Sequence, residues 1–233
     1  MGKNLIQQRR GKGSGRFRTR SFASAGSVSV KQKKSYQILD LIRSTGHSAP
    51  LARIKYDDES MGLIIAAEGV YVGKEYVMGE EAPVAYGNVL PLKSIPEGTP
   101  IFNIESKPGD GGKFIRSSGG SAKLVSRSEK SITVKLPSKK NKLFHPECRA
   151  IIGVVSGGGR PEKPLLKAGT KHHIMKARNK YYPSVSGSAM NAVAHPFGNK
   201  RSLRKSKAKP TSKNAPPGRK VGAIGARRTG RRK

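Results

Sequence analysis

Cysteine occurs once in 233 residues and tryptophan not at all. A single thiol, Cys148, excludes an intramolecular disulfide and any thiol-rich metal site within the chain, and it points to a reducing compartment. Aromatic residues make up 6% of the sequence and apolar residues 34%, so much of the chain is expected not to bury itself. Long apolar runs are missing as well. The longest, LIIAA at 63–67, is far too short to span a bilayer. MGKNLIQQRR offers no apolar core for a secretory signal, and Ile6 stands where a myristoylation motif needs Ser or Thr. The expectation is a soluble intracellular protein.

Acid is scarce and unevenly placed. All 14 Asp and Glu fall between Asp40 and Glu162, a stretch that also carries 17 Lys and Arg, whereas residues 1–39 hold ten cations, residues 163–233 hold twenty, and neither flank has an acid. The chain therefore reads as a nearly neutral folded middle between two polycationic arms. Such arms repel themselves and are expected to stay loosely extended until a polyanion orders them. Nucleic acid suits them best, because neutralising phosphates releases condensed counterions and the gain grows with each contact. An anionic membrane suits them poorly. Segments such as NAPPGRKVGAIGARRTGRRK are broken by Gly and Pro and have no apolar face.

The middle is expected to be β. SYQILDLIR (35–43), LARIKYD (51–57), MGLIIAA (61–67) and VYVGKEYVM (70–78) are short β-rich runs with the rhythm of a small antiparallel barrel. After EEAPVAYGN come NVLPL (88–92), TPIFNIES (99–106), SAKLVSR (121–127), SITVKLP (131–137), KLFHP (142–146) and CRAIIGVV (148–155), a second compact barrel with the boundary near 80–88. Barrels of roughly 50 and 75 residues are each marginal alone, so they are expected to pack on each other or on a partner. KAGTKHHIMKARNK (167–180) is the one expected helix, and its polar residues are almost all cationic.

Chemical motifs are thin. Of the five histidines, His145 forms an H-x-x-C pair with Cys148, but no second pair follows, so no metal site is expected. GVVSGGGR (153–160) has the glycines of a phosphate loop without the Lys followed by Ser or Thr. For acyl transfer by His195, Ser186 and Ser188 are at hand, yet no carboxylate occurs from 163 onward. GDGGKFIRSSGG (109–120) is a candidate phosphate cradle, its glycines permitting close approach and Lys113 and Arg116 supplying cations; the alternative is a mobile hairpin loop. In GSAMNAVAHPFGNK (187–200), the imidazole of His195 and the amide of Asn191 can read a base edge or a 2′-hydroxyl, with apolar contact from Met190 and Pro196. Flanking phosphates would be expected to make His195 hold its proton more tightly.

GSAMNAVAHPFG resembles the signature of the universal large-ribosomal-subunit protein family conventionally numbered two. NLIQQRRGKG, APVAYGNVLPLKSIPEGTPIFNIESKPGDGGKFIRSSGG, ECRAIIGVVSGGGRPEKPLLKAGTKHHIMKARN and NAPPGRKVGAIGARRTGR extend the likeness nearly end to end. MNAV, KHHIMKAR and APPGRKVG look like the archaeal and eukaryotic branch, with the archaeal favoured. The resemblance implies a mainly β fold: a basic N-terminal arm (1–34), an OB-like barrel (35–83), an SH3-like barrel (84–162) and an extended basic C-terminal arm (163–233) threaded into rRNA. It implies a structural rather than enzymatic role in the ribosome in the cytoplasm, supporting assembly of the peptidyl-transferase region, subunit association and tRNA binding. Partners are then large-subunit rRNA, neighbouring ribosomal proteins and a small-subunit contact, with no membrane, no small-molecule substrate and no cofactor beyond Mg2+ shared with the RNA.

The residues expected to touch RNA are Arg9, Arg10, Lys12, Arg16, Arg18 and Arg20 at the start, Lys113 and Arg116 in the second barrel, and Lys171, His172, His173, Lys176 and Arg178 on the helix. Ser188, Met190, Asn191, His195 and Pro196 follow in the signature, then Arg201, Arg204, Arg219, Lys220, Arg227 and Arg228. The chain departs from the family pattern at Ala194, where an acid usually precedes the histidine, at Ser186 in place of Arg, and at Asn199 and Lys200 in place of glycines. NKRSLRKSKAKPTSKN is a longer basic segment. The rival reading is a free nucleic-acid chaperone or a chromatin-like basic protein.

Overall fold

A computed structural model of the chain describes residues 2–18, 22, 24–199 and 210–228. It divides into two units, one of residues 20–166 and one formed jointly by 1–19 and 167–233. The larger unit, the body, is mainly β. Strands β1 (Ser35–Ile42), β2 (Leu51–Tyr56), β3 (Met61–Ile65) and β4 (Glu75–Val77) form an antiparallel sheet in the order β3-β2-β1-β4. A second sheet runs β5-β10-β6-β7-β8-β9, from β5 (Val89–Pro91), β6 (Pro100–Phe102), β7 (Ala122–Arg127), β8 (Ile132–Lys135), β9 (Asn141–Phe144) and β10 (Arg149–Ile152). Nine of the ten β-rich runs contain one of these strands, and β9 begins one residue before KLFHP (142–146). They are the OB-like and SH3-like barrels that the resemblance implies.

Strict alternation along SYQILDLI would aim Asp40 inward beside Ile38. A register shift between Ile38 and Asp40 adds one residue to β1 and pairs Asp40 with Arg53 on the exposed face. A bulge here keeps a carboxylate out of the core.

The two cores share a wall. Val89, Ile151 and Phe102 lie side by side on β5, β10 and β6 and belong to the first core, while Leu90, Ala150, Ile152 and Ile101 on the same strands belong to the second. Successive side chains of a strand point to opposite faces, so these three short strands are buried on both sides and contribute to both cores at once. That is how barrels of marginal size acquire enough core. Cys148 sits fully buried one residue before β10, and burial pushes its thiol up from the usual range.

The basic arm expected over residues 1–34 does not run that far as a separate element, for Val28 and Val30 are buried in the first core. Two apolar residues spaced by two among small neighbours read weakly in sequence, and only the barrel surface gives them a partner.

The terminal unit has little regular structure: helix α1 (Ile6–Gly11), helix α2 (Ala168–Ala177) and the two-residue parallel pair β11 (Pro210–Thr211) and β12 (Ala223–Ile224). The rest of its described residues are extended chain, turns and two short 3-10 turns, Gly15–Phe17 and Gly187–Ala189. Charge counting could not show that its two segments meet. Lys3 N–H donates to Val193 O at 2.7 Å, the Gln7 side chain to Lys220 O at 3.2 Å, and the Arg16 guanidinium lies 4.8 Å from the centre of the Tyr181 ring. Among the described residues only Leu5 and Val221 of this unit are buried apolar side chains. It is knit by hydrogen bonds around almost no core.

The GDGG loop is tied down by two carboxylates of the body. Glu105, 1% exposed, accepts N–H donors from Gly109, Gly111 and Arg149 at 2.9–3.3 Å and pairs with the Arg149 guanidinium at 2.6 Å. Asp110 accepts from Ser106, Lys107 and Gly112. Gly111, at φ +78°, lies so close to Ser29 that a Cβ would come within 2.0 Å of its Oγ, and its carbonyl accepts Val30 N–H at 3.0 Å. Gly111, and Gly112 beside Asn103, thus admit the protein's own chain, while Gly109 faces open space. Arg149 completes the clasp by donating to Lys31 O at 3.0 Å and Val30 O at 3.4 Å.

Two stability measurements follow from this architecture. Ile151→Ala opens the shared wall and is expected to cost about 2–5 kcal/mol, lowering the melting temperature of the body by roughly 5–15 °C in one transition rather than two. Glu105→Ala strands a largely buried guanidinium and is expected to cost about 3–5 kcal/mol, with trypsin cleavage after the exposed Lys113 appearing below the melt. Two separate body transitions, or a Lys113–Phe114 bond that stays intact below the melt, would contradict this account.

Candidate nucleic-acid interface

The 25 Lys and Arg of residues 1–19 and 167–233 have no Asp or Glu among them. Ion pairs among the described residues lie in the body: Lys33 with Asp58, Lys55 with Glu59, Lys93 with Glu80 and Glu147, and Arg149 with Glu105. In the terminal unit Arg9, Arg10, Lys12, Arg16, Arg18, Lys171, Lys176, Arg219, Lys220, Arg227 and Arg228 are exposed, and only Arg178 is half-buried. Desolvation keeps the heads at the surface. The result is a field of one sign, the footprint of a polyanion partner. Arg20, Arg201 and Arg204 lie outside the described residues.

On α2, Lys171, His172, His173 and Lys176 are exposed. The Lys171 ammonium lies 5.6 Å from the centre of the Tyr182 ring, and the His172 ring 6.5 Å from it. Together with Arg16 over Tyr181, each tyrosine of the Tyr181–Tyr182 pair carries a cation. Sequence reading passed over these tyrosines. The available signal was a Tyr-Tyr-Pro directly after a cationic helix, since aromatics interleaved with cations form platforms on which bases stack.

The signature folds as one self-closing loop that brings together Ser188, Met190, Asn191, His195 and Pro196. Asn191 O accepts N–H from Ala194 at 2.9 Å and His195 at 3.2 Å, His195 O accepts Gly198 N–H at 2.9 Å, and Met190 O accepts Asn199 N–H at 3.3 Å. Gly187 lies beneath the imidazole, where a Cβ would stand 2.3 Å from His195 Cε1. The ring packs on Phe197 with centroids 5.2 Å apart, and Phe197 N–H donates to His195 Nδ1 at 3.0 Å. An imidazole that accepts at Nδ1 is neutral and donates from Nε2. Ser186 and Ser188 turn to each other, Oγ to Oγ 3.0 Å. The loop offers a fixed donor, a half-buried Met190 and an exposed Asn191 amide, with no carboxylate in the segment to orient the imidazole as a base.

Lys113 and Arg116 belong to the body. Lys113 is exposed, while Arg116 is half-buried with its guanidinium donating to Gly112 O and Val28 O, both at 3.4 Å. Lys113 is therefore the less encumbered cation of the two. Among the described residues no group of three or more His, Cys, Asp or Glu could hold a metal ion, and no helix is long and apolar enough to cross a membrane.

Burial pushes the His195 imidazole below its ordinary value. Phosphates would act in the opposite sense, and only in the bound state. A lowered folded value means that the unfolded chain binds the proton more readily. The loop is then most stable above the unfolded value of about 6.5 and loosens as pH falls below it. In the RNA-free protein an NMR titration is expected to place the His195 midpoint below the ordinary imidazole value; a midpoint at or above that value would refute the buried-ring geometry.

Residues 85–215 match the model of the family Ribosomal Proteins L2, C-terminal domain. The chain is 48% identical over 236 residues to the large ribosomal subunit protein uL2 of Haloarcula marismortui, covering 99% of this chain and 98% of that one. It is 47% identical over 237 residues to uL2 of Archaeoglobus fulgidus, and 45% identical over 241 residues to uL2 of Methanothermobacter thermautotrophicus, with full coverage of both chains in each case. A β body of two barrels with an acid-free basic unit, matched from end to end at this identity, belongs to the ribosomal protein uL2 family, archaeal type.

Proposed function

We propose that the protein is a structural constituent of the large ribosomal subunit that binds rRNA through its acid-free unit. The observation that carries this reading is the coincidence, in one unit, of 25 cations, no carboxylate and almost no apolar core. A hydrogen-bonded scaffold of that composition gains its cohesion from outside, and phosphates supply what the chain withholds. Large-subunit rRNA and neighbouring ribosomal proteins are the expected partners, with small-subunit contact, subunit association and tRNA binding as the finer part of the proposal. The location is the ribosome in the cytoplasm.

The role is architectural rather than enzymatic. His195 is held neutral against Gly187 and Phe197 in a segment without carboxylates, which supports positioning over proton transfer. The missing acid at Ala194 points the same way. The protein needs no cofactor of its own, and any Mg2+ in its surroundings would be shared with RNA phosphates.

Affinity for purified large-subunit rRNA is expected to fall about 10³–10⁵-fold between 50 and 200 mM salt if roughly six to ten phosphates are contacted. A nearly flat filter-binding series would sink the reading. Stoichiometric co-sedimentation with large subunits separates it from a free nucleic-acid chaperone, which would not migrate with them.

A further inference from the structure

We propose that the cleft between the His195 loop and residues 210–221 receives one unstacked base of the RNA, with a flanking phosphate on Arg219. This rests on the RNA-binding reading above and names the part of the nucleic acid that the C-terminal segment reads.

The cleft has a volume of about 560 Å³, within the span of roughly 300–1,000 Å³ typical of small-molecule sites. Pro196 and Phe197 form one side, Pro216 and Val221 the other, and Asn214 and Arg219 supply polar groups. Both sides are braced. Phe197 is fixed by its N–H to His195 Nδ1 and by Gly222, where a Cβ would come within 2.9 Å of the ring. Opposite, β11 pairs with β12, the Thr211 hydroxyl donates to Val221 O at 2.6 Å, and two turns close through Ala215 N–H to Ser212 O and Arg219 N–H to Pro216 O, each at 3.1 Å. A preformed cleft loses little ordering entropy on binding.

Its chemistry selects the occupant. Rigid prolines and a phenyl ring present flat apolar surface, which suits the face of any base. The Asn214 carboxamide donates and accepts, as a base edge requires. Arg219 offers a fork to phosphate. No carboxylate lines the cleft, and the surrounding unit is uniformly cationic, so a planar body carrying negative charge fits where a neutral or basic ligand does not. The imidazole that anchors Phe197 thereby couples the signature loop to the cleft, giving His195 a positioning part in RNA recognition.

The test uses the full-length protein and purified large-subunit rRNA, with base reactivity probed nucleotide by nucleotide. The wild type is expected to protect one unpaired base. Ala215→Trp, which fills the cleft, and Asn214→Trp, placed at an exposed position should the first disturb folding, are expected to release that protection. Both should weaken binding about tenfold while leaving the dependence on salt unchanged. Arg219→Ala should instead lower the salt slope by about one. Adenosine monophosphate at millimolar concentration should not displace the RNA. The proposal is overturned if reactivity and affinity are the same for wild type and both tryptophan variants. It is also overturned if the mononucleotide saturates the cleft at micromolar concentration without changing the RNA pattern, or if protection requires another large-subunit protein, which would assign the cleft to a polypeptide. Failure of the wild type to bind rRNA in a salt-dependent way would sink the reading beneath it as well.

Discussion

Uncompensated positive charge is the constraint on which the molecule turns. Arg and Lys heads that lack carboxylate partners must stay in water or meet an outside anion, because burying them unpaired is prohibitively costly. A segment so composed cannot gather a core. The terminal unit accordingly joins its distant segments through uncharged backbone groups, as Lys3 does with Val193, and turns its cations outward. Repulsion is tolerated because exposed heads are screened by solvent and salt. The same outward display makes it a receptor for phosphate.

The body solves the opposite problem. It holds every acid of the chain and pairs several of them with its own cations. The Glu105–Arg149 pair shows the use to which one buried acid is put. It gathers loop N–H groups and, through Arg149, fastens residues 30–31 to the barrel. With the strands β5, β10 and β6 buried on both faces, the two barrels share core, and the body owes its stability to apolar packing that the terminal unit lacks. Two stability regimes coexist in one chain, one set by burial and the other by counter-charge.

Much of this was legible from sequence, and the reasons differ by region. Short β-rich runs between Gly, Pro and Asp clusters announced all ten body strands, since pleat periodicity and turn chemistry act locally. The resemblance of GSAMNAVAHPFG singled out the loop proposed to meet RNA, and its members do come together in space. Glycine-rich runs misled. GDGG reads alike whether the close approach is by a ligand or by Ser29, because a missing side chain says only that something comes near. Arg116 counted as a free cation until its carbonyl partners, one of them 88 residues away, were placed beside it. Tyr181 and Tyr182 gave little signal, because the cations stacked on them come partly from the far N-terminus.

Charge segregation, the β character of the middle and the basic loop signature were determined by sequence alone, because composition and spacing of two or four residues act within a few ångströms of chain. Tertiary structure alone decided that Val28 and Val30 join the first core, that Ile151 and Ala150 wall off two cores from one strand, and that Phe197, Asn214 and Arg219 surround a single cleft. Each of these depends on which surfaces meet across tens or hundreds of residues, and that is settled by the packing of the whole chain, which no local pattern encodes.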